Sequence, residues 1–123
     1  MEAVGPLQIR VLHHLWNAGP STVHEVHAVL NRSNQESGSR QLAYTTVLTV
    51  MRNLVRRKIL SQVPIGRAHR FAPLVERGEY QLGMLRQMRH EIFGGDCHQL
   101  LRSMAADEEL DPSLRERLHL LLK

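Results

Sequence analysis

The chain has 123 residues, of which 42% are hydrophobic and 23% charged, a composition typical of one soluble globular domain or of a small domain with an appendage. Its short apolar runs exclude membrane insertion. A single cysteine, Cys97, excludes an internal disulfide and a multi-cysteine zinc site, and the start of the chain shows no signal-peptide pattern, so the sequence predicts a cytoplasmic protein.

The charges are distributed unevenly. The net charge is +4, but residues 1–73 carry nine Lys or Arg against three Asp or Glu, whereas residues 74–123 carry seven against nine. Between Glu36 and Glu76 there are seven cations and no acid. A charge run often marks only a solvated face, yet this asymmetry favours a polyanionic partner, of which nucleic acid is the commonest.

The first two predicted helices come before this basic region. The pattern predicts a helix over Pro6 to Ala18, with proline in its first turn and a glycine-proline stop behind it. A second helix begins at the cap residue Thr22, with Glu25 completing a capping box, and is expected to end near Asn31. The following "NRSNQESGSRQ" is rich in turn-forming residues and is predicted to be a loop.

The third predicted helix is "AYTTVLTVMRNLVRRKIL", Ala43 to Leu60. At about 100° per residue its apolar side chains share one broad arc, which a domain core requires. The other arc carries hydroxyl groups near the N-terminal end, then guanidinium groups, and no acid. A merely solvated face usually mixes both signs. This face is therefore predicted to contact an anion.

The helical spacing of the apolar residues ends after Leu60. "SQV" and "AHRF" flank Pro64 to Arg67, which predicts a β-hairpin with Arg67 at its tip. Three helices followed by a two-stranded hairpin is the element order of a winged helix-turn-helix, in which the third helix enters the major groove and the wing reaches the adjacent backbone.

The remaining residues predict three more amphipathic helices: Glu76 to Phe93, one capped by Asp96, and one opened by Asp111-Pro112. Their apolar side chains lack a domain-sized partner, so this region is predicted to form a homodimer; packing back onto the first domain is the alternative. The dimerisation candidates are Met84, Leu85, Met88, Ile92, Leu100, Leu101, Leu114, Leu118 and Leu121.

The segments "GPLQIRVLHHLW", "STVHEVHAVLN", "LAYTTVLTVMRNLVRRKIL", "GRAHRFAP" and "EIFGGD" resemble the BlaI/MecI/CopY family of bacterial transcriptional repressors, the penicillinase repressor family. The resemblance covers nearly the whole chain. It implies a mainly α fold with a small β-hairpin wing: a winged-helix DNA-binding domain over residues 1–74 and a helical dimerisation domain over residues 75–123. It also implies repression by a homodimer bound to an inverted-repeat operator through a recognition helix (about 43–58) and a wing (about 61–72).

Carried over by position, the family's DNA-facing residues fall on the recognition helix and the wing. Threonine can hydrogen-bond a base edge and place its methyl against that of thymine, and arginines chiefly hold phosphates. The DNA-binding candidates are Thr45, Thr46, Thr49, Arg52, Arg56, Arg67 and Arg70.

The chain departs from family patterns that concern the inducing signal. Copper-responsive members use paired C-x-C motifs, and Cys97 stands alone. Some members are cut by a membrane sensor protease at an Asn-Phe bond, whereas this sequence has no such pair, and Arg102-Ser103 occupies the matching region. Release by such a protease is therefore one hypothesis among others, and the signal stays open.

Other functions have weaker support. "HEVH" lacks the H-E-x-x-H spacing of a metalloprotease, and His27 is expected to pack in the core. A metal site formed by Cys97, His98 and His90 is disfavoured. The sequence therefore predicts no metal, and it also predicts no catalytic residue and no cofactor.

RNA binding would need exposed aromatic residues, and Trp16, Tyr44 and Phe71 are expected in the core. A protein-interaction module and a small-molecule-responsive repressor remain alternatives.

Overall fold

The computed structural model describes residues 4–123; residues 1–3, with which the predicted first domain begins, lie outside the described residues. Over this range the chain is mainly helical with one two-stranded antiparallel sheet, which confirms the predicted fold class. The elements are α1 (Pro6–Ala18), α2 (Val23–Ser37), α3 (Tyr44–Arg56), β1 (Leu60–Ile65), β2 (Ala68–Pro73), α4 (Arg77–Glu91), α5 (Cys97–Ala105) and α6 (Pro112–Leu121).

The chain divides into two compact units, one ending at Tyr80 and the other running from Gln81 to Lys123. The core of the first unit follows the helical period. Each of its three helices contributes residues spaced by three or four positions, because such residues share one helix face. Those buried side chains are Val11, Leu12 and Leu15 from α1, Val23, Val26 and Leu30 from α2, and Val47, Met51 and Leu54 from α3.

The wing closes this core. Phe71 of β2 is 1% exposed, and its backbone exchanges two hydrogen bonds with Ser21 (3.1 and 2.9 Å) in the turn between α1 and α2. Leu60 at the start of β1 is equally buried. The base of the hairpin is therefore fixed to the helices, whereas the side chains from Val63 to Arg70 are exposed.

Helix α2 is longer than predicted: the expected end near Asn31 is wrong, and the first seven residues of the predicted loop are helical. The helix ends at Ser37, and Gly38 with φ +73° forms its C-cap. Polar composition alone does not end a helix, whereas a glycine in the left-handed region does. Asn34 also ties this last part to the protein, since it is buried.

Helix α3 is shorter than the 43–60 that the apolar pattern predicts and than the 43–58 that the resemblance implies. It ends at Arg56, and Lys58 turns the chain with φ +62°. Ile59 and Leu60 are buried, so the apolar run that suggested more helix instead supplies the start of β1. The wing spans 60–73, one residue more at each end than predicted.

In the second unit the helix boundaries follow local signals. Helix α4 is slightly shorter than the predicted 76–93, and Gly94 and Gly95, both with positive φ, separate it from α5. Asp96 caps α5 by accepting a hydrogen bond from the Gln99 amide, and Asp111 caps α6 in the same way, as the sequence predicted. No helix among residues 4–123 has the length and apolarity needed to cross a membrane.

Candidate nucleic-acid interface

Helix α3 separates its two faces completely. Val47, Met51 and Leu54 are 0% exposed, and this buried stripe fixes the rotation of the helix about its axis. The opposite face is exposed and has the composition that the sequence indicated, hydroxyls followed by cations. Its exposed members are Thr45, Thr46, Thr49, Arg52 and Arg56.

The N-terminus of α3 is open to solvent. Its N-cap is Ala43, which provides no side-chain hydrogen bond to the first turn, and both Thr45 and Thr46 are exposed there. Backbone amides at such a terminus can donate to a phosphate, and the helix dipole favours a negative charge. The arrangement can therefore bind an anion at the start of the helix as well as along its arginines.

Three polar side chains of α2 hold the turn that leads into α3. The Asn31 side chain accepts from the Leu42 amide (2.6 Å) and donates to the Leu42 carbonyl (3.0 Å). His27 Nε2 lies 2.9 Å from the same carbonyl oxygen. His27 is half-buried and hydrogen-bonded, so its role is to secure this turn. The position of the N-terminus of α3 thus depends on α2 side chains.

Asn34 makes the second set of contacts to this turn. Its amide donates to the Arg40 carbonyl (2.7 Å), and its side-chain oxygen accepts from Arg10 Nη2 of α1 (2.8 Å). Arg10 also donates to the Leu30 carbonyl. Asn34 therefore joins α1, α2 and the turn before α3, and Arg10 has a structural role that removes it from the free basic surface.

The wing presents its two arginines differently. Gly66 with φ +60° forms the tight turn between β1 and β2, and Arg67 follows it at the tip, as predicted. Arg70 lies on β2 opposite Val63 of β1. Both guanidinium groups are exposed, so either can reach a ligand beside α3.

Arg70 has an acidic neighbour that the sequence did not indicate. Glu25 at the start of α2 accepts from the Thr22 amide (3.2 Å), and this hydrogen bond, with that from the Thr22 hydroxyl and the positive charge of Arg70, holds the pKa of Glu25 below its usual 4.5. Glu25 precedes the acid-free segment by eleven residues, so only the fold brings it close to Arg70. The wing base is therefore less positive than its tip.

Tyr44 was expected in the core, and this is wrong. It is 36% exposed and lies at the first position of α3, where its ring is 4.7 Å from that of His24 and 5.7 Å from that of His27. The helical arc that includes Tyr44 is wide, and its edge reaches the surface. His24 and Tyr44 are thus candidate interface residues that sequence reasoning missed, and their only sequence signal is their position beside the first turns of α2 and α3.

The dimerisation candidates divide by exposure. Leu85 and Met88 of α4 and Ile92, the residue directly after it, are 45%, 42% and 72% exposed in the single chain. Leu114 and Leu121 of α6 are exposed as well. Met84, Leu101 and Leu118 are half-buried. Leu100 is buried within the chain at 8% exposure, so it has little surface to offer a partner.

The described residues do not suggest a metal centre. Among residues 4–123, no group of three or more His, Cys, Asp or Glu side chains lies close enough to hold an ion. Cys97 is exposed at the first turn of α5.

Comparison with known proteins agrees with this architecture. The family model described as penicillinase repressor matches residues 4–123. The chain is 40% identical over 83 residues to the transcriptional regulator BlaI of two Mycobacterium tuberculosis strains, CDC 1551 and H37Rv, an alignment that covers 67% of this chain. It spans 56% of the length of those relatives.

Among solved structures, the chain is similar to the transcriptional regulator Tm0710 from Thermotoga maritima, with a TM-score of 0.47 and 19% identity. That similarity covers 96% of this chain and 71% of the other. The family match over nearly the whole sequence confirms the resemblance drawn from the motifs. The chain therefore belongs to the penicillinase repressor family, which is a family of transcriptional repressors and not of enzymes.

Proposed function

We propose that the chain is a homodimeric winged-helix repressor that binds double-stranded DNA at a two-fold operator. Residues 1–74 bind DNA and residues 75–123 dimerise. Helix α3 enters the major groove, and the wing contacts the neighbouring backbone. The protein acts in the cytoplasm, and it needs no cofactor.

The observation that carries this proposal is the exposed, acid-free face of α3 and the wing tip. All seven DNA-binding candidates are exposed, and no acid occurs between Glu36 and Glu76. Thr46 and Thr49 are one turn apart on the exposed arc, where they can reach base edges. Arg52, Arg56 and Arg67 extend the same basic surface toward the flanking phosphates.

Dimerisation is supported by the apolar stripe on α4. Leu85, Met88 and Ile92 follow an i, i+3, i+7 spacing and present exposed apolar surface, which soluble proteins rarely leave uncovered over several neighbouring residues. The same stripe on a second copy of the chain covers this apolar surface in a two-fold interface. Dimerisation then couples two weak half-site contacts into one strong one, with recognition helices about 34–36 Å apart.

This coupling suggests how an inducing signal, whose identity stays open, could act. Any event that separates the second units removes the coupling and releases DNA. Cleavage by a membrane sensor protease is one such event, and Arg102-Ser103 lies in exposed positions of α5.

The test compares a duplex from the region upstream of the gene with a scrambled duplex, by fluorescence anisotropy over a salt series. A preference of about 10³ at physiological salt, with two protomers per duplex, supports the proposal. Equal, weak binding to both duplexes and to fragments selected from the whole genome contradicts it, and favours a protein-interaction module instead.

A further inference from the structure

A cleft of about 340 Å³ lies between the start of α2, the exposed face of α3 and the wing. Phe71, Val23 and Leu48 are buried or half-buried and line its base. Its lining includes four basic side chains from three elements: His24 of α2, Arg52 of α3, and Arg67 and His69 of the wing. None of the described residues that line this cleft is acidic.

His24 is oriented toward this cleft by Tyr44. The two rings are 4.7 Å apart between centroids and inclined by 39°, so the imidazole lies against the first turn of α3. Both His24 and His69 are exposed, so solvent and a ligand can reach both rings.

The charged groups near the two histidines are mostly positive. Arg52 and Arg67 share the cleft, together with the Tyr44 hydroxyl. Glu25 follows His24 on α2, but its carboxylate accepts from the Thr22 amide and is near Arg70 and His14. Two arginines and two histidines around one opening favour the binding of an anion. No carboxylate among the cleft-lining residues can pair with a histidine in its imidazolium form. A bound anion would supply that partner.

We propose that this cleft holds a phosphodiester group of the DNA backbone, and that His24 and His69 bind it as imidazolium ions beside Arg52 and Arg67. The inference rests on the proposed function and adds a regulatory property to it: DNA binding takes up protons from solvent. A neutral imidazole donates one hydrogen bond, whereas an imidazolium donates two and adds a charge. A phosphodiester stays anionic, so each proton ends on a histidine nitrogen.

The size of the effect follows from linkage. A nearby anion favours the charged form of a histidine. As a reference case, a model-peptide histidine with a pKa of about 6.5 whose proton affinity rises about tenfold beside a bound anion strengthens anion binding about sixfold between pH 8 and pH 6. Two such residues give an increase of roughly thirty- to fortyfold for each protomer bound.

The test measures binding of the full chain to the upstream and scrambled duplexes by anisotropy at pH 6, 7 and 8, at constant ionic strength. The variants are His24→Gln, His69→Gln and the double substitution, with His98→Gln, an exposed histidine of α5, as the matched control. We expect each single substitution to remove about sixfold of the pH dependence per bound protomer, and hence roughly fortyfold for a dimer, on both duplexes, since phosphate contacts do not read sequence. The double variant should change less than about twofold, and the control should match the wild type.

His24→Lys separates charge from packing. A permanent ammonium group should keep the affinity of the wild type at pH 6 and make this position insensitive to pH, which a merely structural role of the imidazole does not predict. A double variant that retains the full pH dependence while still preferring the upstream duplex would overturn the proton-uptake proposal and leave the repressor function standing. Absence of binding to either duplex at every pH would overturn both.

Discussion

Asn34 offers a sharp test of how the recognition helix is held. Asn34→Ala removes the hydrogen bond from Arg10 (2.8 Å) and the one donated to the Arg40 carbonyl (2.7 Å). A hydrogen bond to a charged group contributes about 1.5 kcal/mol or more, and a neutral one about 1 kcal/mol. Alanine regains roughly 0.6 kcal/mol as the better helix former. The variant should therefore lose about 2 kcal/mol of the free energy of unfolding.

Urea unfolding followed by tryptophan fluorescence measures this loss in the correct part of the protein, because Trp16, the only tryptophan, belongs to α1 in the same unit. A loss of this size lowers the midpoint by roughly 1.5 M urea. The matched control is Gln35→Ala at the next, exposed position, which should change stability by less than about 0.5 kcal/mol. Asn34→Asp keeps the acceptor for Arg10, so its urea midpoint should fall between those of Asn34→Ala and Gln35→Ala. Equal midpoints for Asn34→Ala and its control would refute the reasoning.

Four further substitutions test separate parts of the proposal. Arg52→Ala should weaken binding to all duplexes and reduce the slope of log K against log salt by about one unit, because one phosphate contact is lost. Thr46→Ala should instead lower the ratio of operator to random-DNA affinity, by roughly tenfold for a lost base contact of about 1–3 kcal/mol. Ile92→Glu should give a monomer in sedimentation equilibrium, since it adds a charge to a side chain that is 72% exposed in the single chain and that the proposed dimer interface covers. Glu25→Gln should be less stable than the wild type at pH 7, and this difference should disappear as the pH falls below about 4.5, because the lowered pKa of Glu25 stabilises the fold only while the carboxylate is ionised.

Each of these has a matched control or a contradicting result. Arg32→Ala removes an exposed arginine of α2 and should leave the salt slope unchanged. Unaltered selectivity in Thr46→Ala would show that α3 does not read bases at this position. His90→Glu places the same charge on the opposite side of α4 and should stay dimeric. A stability difference for Glu25→Gln that persists at pH 3 would contradict the assigned ionisation.

Elements with strong local signals could be predicted from the sequence. The bounds of α1 follow from Pro6 and Gly19, and the starts of α5 and α6 follow from Asp96 and Asp111, because these residues act on the backbone beside them. The apolar arc of α3 is equally local, and it assigns the exposed threonines and arginines to one face. The two short runs that flank Pro64 to Arg67 likewise predict the wing and its arginine tip.

Features that depend on contacts between distant residues could not be predicted. Asn34 appears in a polar stretch that resembles a loop, and only its bonds to Arg10 and Arg40 explain why the helix continues past it. Lys58 ends α3 in a backbone conformation that non-glycine residues seldom adopt, and no local residue pattern announces it. The proximity of Arg70 to Glu25, and of His24 to Tyr44, arises only when the wing and α2 are folded around α3.

The short link between α3 and the wing limits how the protein can adapt to DNA. Three residues join the two elements, and one of them, Ile59, is buried. Its backbone amide donates to the Leu54 carbonyl of α3 (2.9 Å), and its carbonyl accepts from the amide of Leu74, just after β2 (2.8 Å). Helix and wing therefore keep a fixed spacing. When both touch one half-site, any mismatch in groove width has to be absorbed by the duplex. Base pairs that neither element touches, especially flexible pyrimidine–purine steps, should then influence which promoters are repressed.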